Sequence, residues 1–400
     1  MEITTTTSTN STSKVIGGGL IIAGTSIGAG MLSIPLMSAG LGFGVSLLLL
    51  FGFWALMTYT SMLMLEVHQH ADSSATLHTL SSKFLGNPGK IAATIATFML
   101  LYALCAAYVA GGGSNMATRL DQLTGIQIPA WMSSLIFVTI VAALVAAGTA
   151  VVDKVNRVLF GAMMLAMAGV LVFLSPNISG TLLAASPEGW GLFFAALPVI
   201  FTSFGFHGSI PSIVTYFDGE TKKLRTAMLI GSCIPLVVYI FWLACTLGVV
   251  EQSVLMENGE LGAMIAVLGD TLGSQKIAVA IGLFADLALV TSFLGVSLGL
   301  FDYLRDTTKE KLKGNRISVA LITFLPPLAF ALFYPQGFIM ALGYAAIALV
   351  VIAIFLPVLM TIASRKVHKE AHFYRVKGGP IAMGAATLCG VVIILAQFIA

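Results

Sequence analysis

The residues best able to do chemistry in this 400-residue chain stand inside long apolar stretches. Asp286, in Phe284-Ala285-Asp286-Leu287-Ala288-Leu289, is the one acidic residue read as lying well inside such a stretch. A charged carboxylate in a bilayer costs roughly 2.5–3.5 kcal/mol on insertion scales, so it must face a cavity or a partner. It reads as a proton acceptor or a ligand-ordering group; the plainer reading is a carboxylic acid bonded to a neighbouring helix. Thr291 and Ser292 follow on the same stretch and offer hydroxyl oxygens to a cation. On a helix they project roughly 140° and 240° around from Asp286, so the three cannot share one face. His207 is the single histidine of six within a stretch of this kind. Its ordinary titration range suits a proton carrier, and a structural donor is an equal reading.

Two stretches are interrupted alike. The first carries Gly17-Gly18-Gly19, Gly24-Thr25-Ser26-Ile27-Gly28-Ala29-Gly30 and Ser33-Ile34-Pro35. The other carries Thr202-Ser203-Phe204-Gly205-Phe206-His207-Gly208 and then Ser209-Ile210-Pro211. Gly24 and Gly28 form a GxxxG that helix packing could use. Packing does not account for two matched breaks. Glycine and proline at mid-membrane free backbone groups that only protein or a water-lined cavity can satisfy. Freed amides at a half-helix start suit a carboxylate, and freed carbonyls suit an ammonium group. A zwitterionic amino acid carries both, although another small anion could use the amide end alone.

The elements that hold these groups follow from composition. Charged residues make up 9% of the chain and hydrophobic ones 58%, with a mean hydropathy of +0.99, against about 25% charge in soluble domains. So few charges cannot cover a soluble surface of this size, which excludes cytosolic enzymes, secreted domains and nucleic-acid binders. The net charge of +3 implies no polyanionic partner. Cys105, Cys233, Cys245 and Cys389 are dispersed in apolar sequence and form neither a disulfide framework nor a metal site. No cofactor is implied. The chain reads as an all-α integral membrane protein, its Leu, Met and Phe stripes facing membrane lipid or packing.

A span needs roughly 20 apolar residues, and eleven windows qualify: 15–37, 41–66, 89–115, 128–147, 152–174, 190–217, 226–250, 277–304, 317–333, 338–362 and 380–399. Residues 1–14, rich in Thr and Ser, read as a disordered polar tail. Of the 20 Lys and Arg, all but Arg119 and Lys276 fall in one set of alternate loops, including Lys309, Lys311, Lys313 and Lys369. The positive-inside rule puts that set and the N-terminus in the cytoplasm, and the C-terminus outside. The breaks lie in the first and sixth windows. Five helices is an odd number, so the second half is inserted upside down, the inverted-repeat pattern in which paired interrupted spans point to a transport site. The organisation is then a first repeat at 15–174, an inverted repeat at 190–362 and an extra helix at 380–400.

These residues resemble the hydroxy and aromatic amino acid permease family, within it the tyrosine-specific branch. The runs that carry the likeness are Ala23 to Leu32, Val199 to Ser209, Leu283 to Ala288, Thr291 to Val296, Ile322 to Phe330 and Tyr374 to Gly379. The resemblance spans from about Val15 to the last helix. It implies the LeuT-type five-plus-five fold of the amino acid–polyamine–organocation superfamily with one added helix, and proton-driven uptake of tyrosine across the bacterial inner membrane by alternating access. Tryptophan and phenylalanine are alternative cargoes. By position the resemblance makes Thr25, Ser26, Ile27, Gly28, Ala29 and Gly30 substrate contacts, with Ser203, Phe204, Gly205, Phe206 and His207. Tyr102 and Tyr108 of the third span complete the site, and Phe204 and Phe206 suggest an aromatic wall. Sodium-coupled relatives place a hydroxyl pair like Thr291-Ser292 at a cation site. Some proton-coupled relatives put a lysine mid-way along the fifth span, where this chain has none; Lys154 and Arg157 stand at its start. Asp286 and His207 are left as proton-coupling candidates. An intramembrane hydrolase, the remote alternative, would need paired acids, a metal motif or a nucleophile with a base, and only Asp286 and His207 are available. No ring of charges or filter repeat suggests a channel.

Overall fold

Apolar sequence of this length can satisfy its backbone in lipid only within itself, which makes helix the default. The computed structural model describes residues 6–189, 191–273, 275–308, 315–368 and 373–399. Among these every regular element is helical. In chain order they are α1 (Thr6–Ser26), α2 (Ala29–Ser38), α3 (Gly42–His68), α4 (Leu77–Thr124), α5 (Ala130–Ala147), α6 (Thr149–Leu174), α7 (Gly180–Leu183), α8 (Gly191–Ser203) and α9 (Ile210–Tyr216). There follow α10 (Thr221–Leu247), α11 (Gln252–Glu257), α12 (Leu261–Thr271), α13 (Gln275–Thr308), α14 (Arg316–Phe333), α15 (Phe338–Val350), α16 (Leu356–Val367) and α17 (Gly379–Ile399).

Ten segments of the described chain are long and apolar enough to cross a membrane. The window expected at 15–37 is present as α1 and α2 with a break between them, and α2 runs through a 3-10 turn into α3, so that Ala29–His68 is one of the ten. The window at 190–217 is α8, a 3-10 turn at His207–Ser209, and α9. Helices overrun the apolar windows. α1 begins at Thr6, so residues 6–14, expected in an irregular tail, prolong the helix instead. Residues 1–5, the boundary residue Trp190, the basic residues Lys309, Lys311, Lys313 and Lys369, and Ala400 lie outside the described residues.

The longest element is α4, 48 residues, started by the Thr76 hydroxyl accepting from the Thr79 amide. It bends at Gly86, whose φ of 66° only glycine adopts freely, two residues before Pro88. It ends at Thr124 rather than near 115, and therefore carries Arg119, expected in a loop, as a helical residue. The fifth and eleventh windows, α6 and α17, are largely exposed, as lipid-facing helices are; α8–α9 and the α15–α16 segment are mostly buried. The core thus sits around the two breaks. Near its centre Val351–Phe355 forms a π turn joining α15 to α16, with Pro357 just beyond.

Candidate functional site

At the first break α1 stops at Ser26 and α2 restarts at Ala29. Gly28 between them is extended, at φ −177° and ψ −150°, a conformation open to any residue. Space is what requires glycine there, since a Cβ would strike the Ser292 hydroxyl. That hydroxyl, from α13, accepts a hydrogen bond from the Ala29 amide at 2.9 Å. Ser292 thus caps α2 from another helix.

The second break meets the first directly. α8 stops at Ser203, whose hydroxyl donates to the Gly30 carbonyl at 2.9 Å. The Thr202 hydroxyl faces the carbonyls of Pro198 and Leu342 at 2.8 and 3.2 Å. From α10, the Tyr239 hydroxyl stands 2.6 Å from the Ser26 carbonyl and 2.6 Å from the Ser203 carbonyl. One turn on, Trp242 Nε1 donates to the Met31 carbonyl at 3.1 Å. Both aromatics are fully buried.

Between the breaks lies a cavity of about 180 Å³, smaller than the ~300–1,000 Å³ of drug-sized sites. Thr25, Ser26, Gly28, Ala29 and Gly30 line it from the first break, and Thr202, Ser203, Gly205, Gly208 and Ser209 from the second. Tyr108 and Ser292 add hydroxyls, while Leu100, Leu101 and Leu104 of α4, with Leu342 and Leu349 of α15, form an apolar wall. One side is therefore backbone and hydroxyl, the other branched aliphatic. Hydroxyl-rich breaks and leucines one turn apart on α4 set up that division.

Several residues expected at the site stand elsewhere. Ile27, Phe204 and Phe206 are buried and do not line the cavity. The break turns their large apolar groups into the core, so the wall is leucine rather than aromatic. His207 also lies off the cavity: its Nε2 pairs with the Thr60 hydroxyl of α3 at 3.0 Å, and its Nδ1 has no partner. Tyr102 points to α14, its hydroxyl donating to the Ile322 carbonyl at 3.0 Å. Thr291 and Ser292 diverge, as adjacent helical residues do. The Thr291 hydroxyl returns to its own helix at the Leu287 carbonyl, 2.8 Å away, and faces Met163 of α6.

Asp286 does not line the cavity either. Arg119 Nε lies 3.2 Å from its Oδ2, and the Asn115 amide donates to Oδ1. A Cβ at Gly282 would collide with the guanidinium, so glycine makes the room for this pair. A second carboxylate escaped the sequence reading. Glu66, in the last turn of α3, takes the Arg365 fork at 2.6 and 2.8 Å and the Val376 amide at 2.7 Å. Beside it Gln69 exchanges two bonds with the Tyr374 backbone, at 3.0 and 2.9 Å. The polar run after Glu66 masks it in sequence, and Tyr239 has no local signature at all.

The sequence matches the tryptophan/tyrosine permease family over residues 11–397. It is 44% identical over 386 residues to the tyrosine-specific transport system 1 of Haemophilus influenzae, covering 95% of each chain. Tyrosine-specific transport system 2 of the same organism is 42% identical over 393 residues, 96% of each. A tryptophan-specific transport protein, also from Haemophilus influenzae, is 35% identical over 400 residues, covering 96% of this chain and 95% of its own.

Proposed function

The chain belongs to the tryptophan/tyrosine permease family, and from that premise we propose that it imports an aromatic amino acid, tyrosine foremost, by proton symport. Membership makes it a multi-pass membrane transport protein and no enzyme. The observation that carries the substrate reading is the convergence of opposite backbone ends on one small cavity. The N-terminal end of α2 meets it at Ala29, whose own amide the Ser292 hydroxyl takes, and the C-terminal ends of α1 and α8 meet it at Ser26 and Ser203. Helix starts carry roughly +0.5 charge and helix ends roughly −0.5. An α-carboxylate lies against the first and an α-ammonium against the second, while the side chain's ring packs on the leucines of α4 and α15. Of the hydroxyl residues lining the cavity, Tyr108, Ser209 and Thr25 are the ones assigned to the phenol. Tryptophan, named for the relative at 35% identity, is the second reading, since an aliphatic wall tolerates either ring.

Of the two coupling candidates, Asp286 is the better placed, bonded to a cation whose release its protonation would permit. His207 is held against α3. A sodium site at Thr291 and Ser292 is the less supported alternative, because the two hydroxyls point to different helices. Transport proceeds by alternating access: the first, second, sixth and seventh spans rock against the rest, with residues 15–174 and 190–362 as inverted repeats and α17 outside them. The protein works in the bacterial inner membrane with its N-terminus in the cytoplasm and its C-terminus outside. The test is uptake of labelled tyrosine into proteoliposomes under an imposed proton or sodium gradient, competed by tryptophan and phenylalanine. Accumulation on the proton gradient alone supports symport; a requirement for sodium overturns it and moves coupling to Thr291 and Ser292.

A further inference from the structure

We propose that Tyr239 is a positioning residue that sets the distance between the two carbonyls receiving the substrate's amino group. The inference rests on the substrate reading above and adds to it a residue outside the cavity. Tyr239 belongs to α10, on neither broken helix, and is wholly buried. Its hydroxyl lies 2.6 Å from the Ser26 carbonyl and 2.6 Å from the Ser203 carbonyl. Both of those residues line the cavity, and Tyr239 does not. It reaches their carbonyls from outside the lining.

Ser26 and Ser203 end their half-helices, so their carbonyls lack the intrahelical partner that a continuing helix would give. Each end also carries partial negative charge, and two such ends repel. One phenol touching both keeps the two oxygens no more than about 5.2 Å apart. A tetrahedral ammonium fits within that limit, because two N–H···O bonds of roughly 2.9 Å from one nitrogen end on acceptors about 4.5–5 Å apart. The phenol also has one proton for two acceptors. The carbonyls therefore keep unsatisfied capacity that a three-proton cation can use from the cavity side. The ring itself is fixed edge-on against Phe204, centroids 5.1 Å apart, and Trp242 anchors the next turn of α10 to α2 through the Met31 carbonyl.

The experiment compares three ligands on the purified full-length chain in lipid nanodiscs: tyrosine, tyramine, which lacks the carboxylate, and 3-(4-hydroxyphenyl)propionate, which lacks the ammonium. Displacement of labelled tyrosine is measured for the wild type and for Tyr239→Phe, which keeps the ring on Phe204. The expected result is about tenfold weaker binding of tyrosine and tyramine with the propionate unchanged. Equal weakening of all three, no weakening, or a loss confined to the propionate overturns the proposal. Should Tyr239→Phe fail to fold, Tyr239→His, whose shorter ring cannot reach both carbonyls, is expected to give the same pattern. Uniform weakening there overturns it equally. A wild-type chain that binds none of the three overturns the substrate reading before any variant is made, and this inference with it.

Discussion

Asp286 and Glu66 each meet an arginine from a distant part of the chain, in opposite styles. Glu66 is 3% exposed and takes both arms of Arg365 together with a backbone amide. Asp286 is 37% exposed and meets Arg119 through one contact, with Asn115 as its other partner. The two pairs lie toward opposite ends of the bundle, because α4 starts beside the end of α3 and carries Arg119 nearly its whole length away. A bidentate, dry pair is a fixture, and removing one partner strands the other charge. A single-contact pair with a part-exposed carboxylate opens at less cost, although its arginine is only 14% exposed. The same chemistry thus serves as a clasp in one place and as an exchangeable contact in the other.

The sharpest way to break that contrast is Arg365→Ala, which leaves Glu66 buried without its cation. The expected loss is about 3–5 kcal/mol of stability, read as a fall in melting temperature in detergent. Asp286→Asn, which leaves the 14% exposed Arg119 without its anion, should cost less than that, about 1.5–3 kcal/mol, and yet abolish accumulation of tyrosine against its gradient. Equal melting losses for the two variants would erase the distinction, and normal proton-driven accumulation would remove Asp286 from coupling. His207→Gln should lose about 1 kcal/mol with the Thr60 bond and leave the pH profile of uptake as it was. A shifted profile would transfer the coupling role to His207.

The smallest effect concerns the corner beside Glu66. His70 stacks on His368 with ring centroids 4.0 Å apart, and Lys83 donates to its carbonyl. Burial, then the neighbouring His368, holds His70 below the usual histidine value of 6.5, with Lys83 and Arg375 acting the same way and Glu66 opposing. The folded form therefore binds fewer protons than the unfolded one. Its contribution is complete above the ordinary value and declines as pH falls from there through the folded one. Protection of residues 373–376 from hydrogen exchange, taken relative to the intrinsic rate at each pH, should fall as pH drops below about 6.5. His70→Gln should flatten that dependence, and an unchanged slope would detach the corner from histidine titration.

Much of this arrangement is legible in sequence where the signal is local. The apolar windows gave each long helix, and the Gly-rich runs marked both breaks, because backbone freedom is written in consecutive residues. Partners are another matter. Arg119 looked like a loop residue because the apolar window closes near 115 while the helix continues to Thr124. Glu66 was hidden by the polar residues that follow it. Tyr239 lies 213 residues from Ser26 and 36 from Ser203, so only the packed helices join the three. Which face of a break meets the cavity is likewise unreadable, and so Phe204 and Phe206 are expected at a wall that leucines supply, and His207 at a substrate it does not face.

The π turn at Val351–Phe355 has a consequence for both regions at once. A wide turn inserts about one residue into the helical count, which rotates everything beyond it by roughly 100°. Leu342 and Leu349 precede the turn and face the cavity; Arg365 follows it and faces Glu66. The turn is thus a phase shifter, giving one span two independent angular settings. A deletion there would dial the clasp away from its carboxylate while leaving the cavity wall in register.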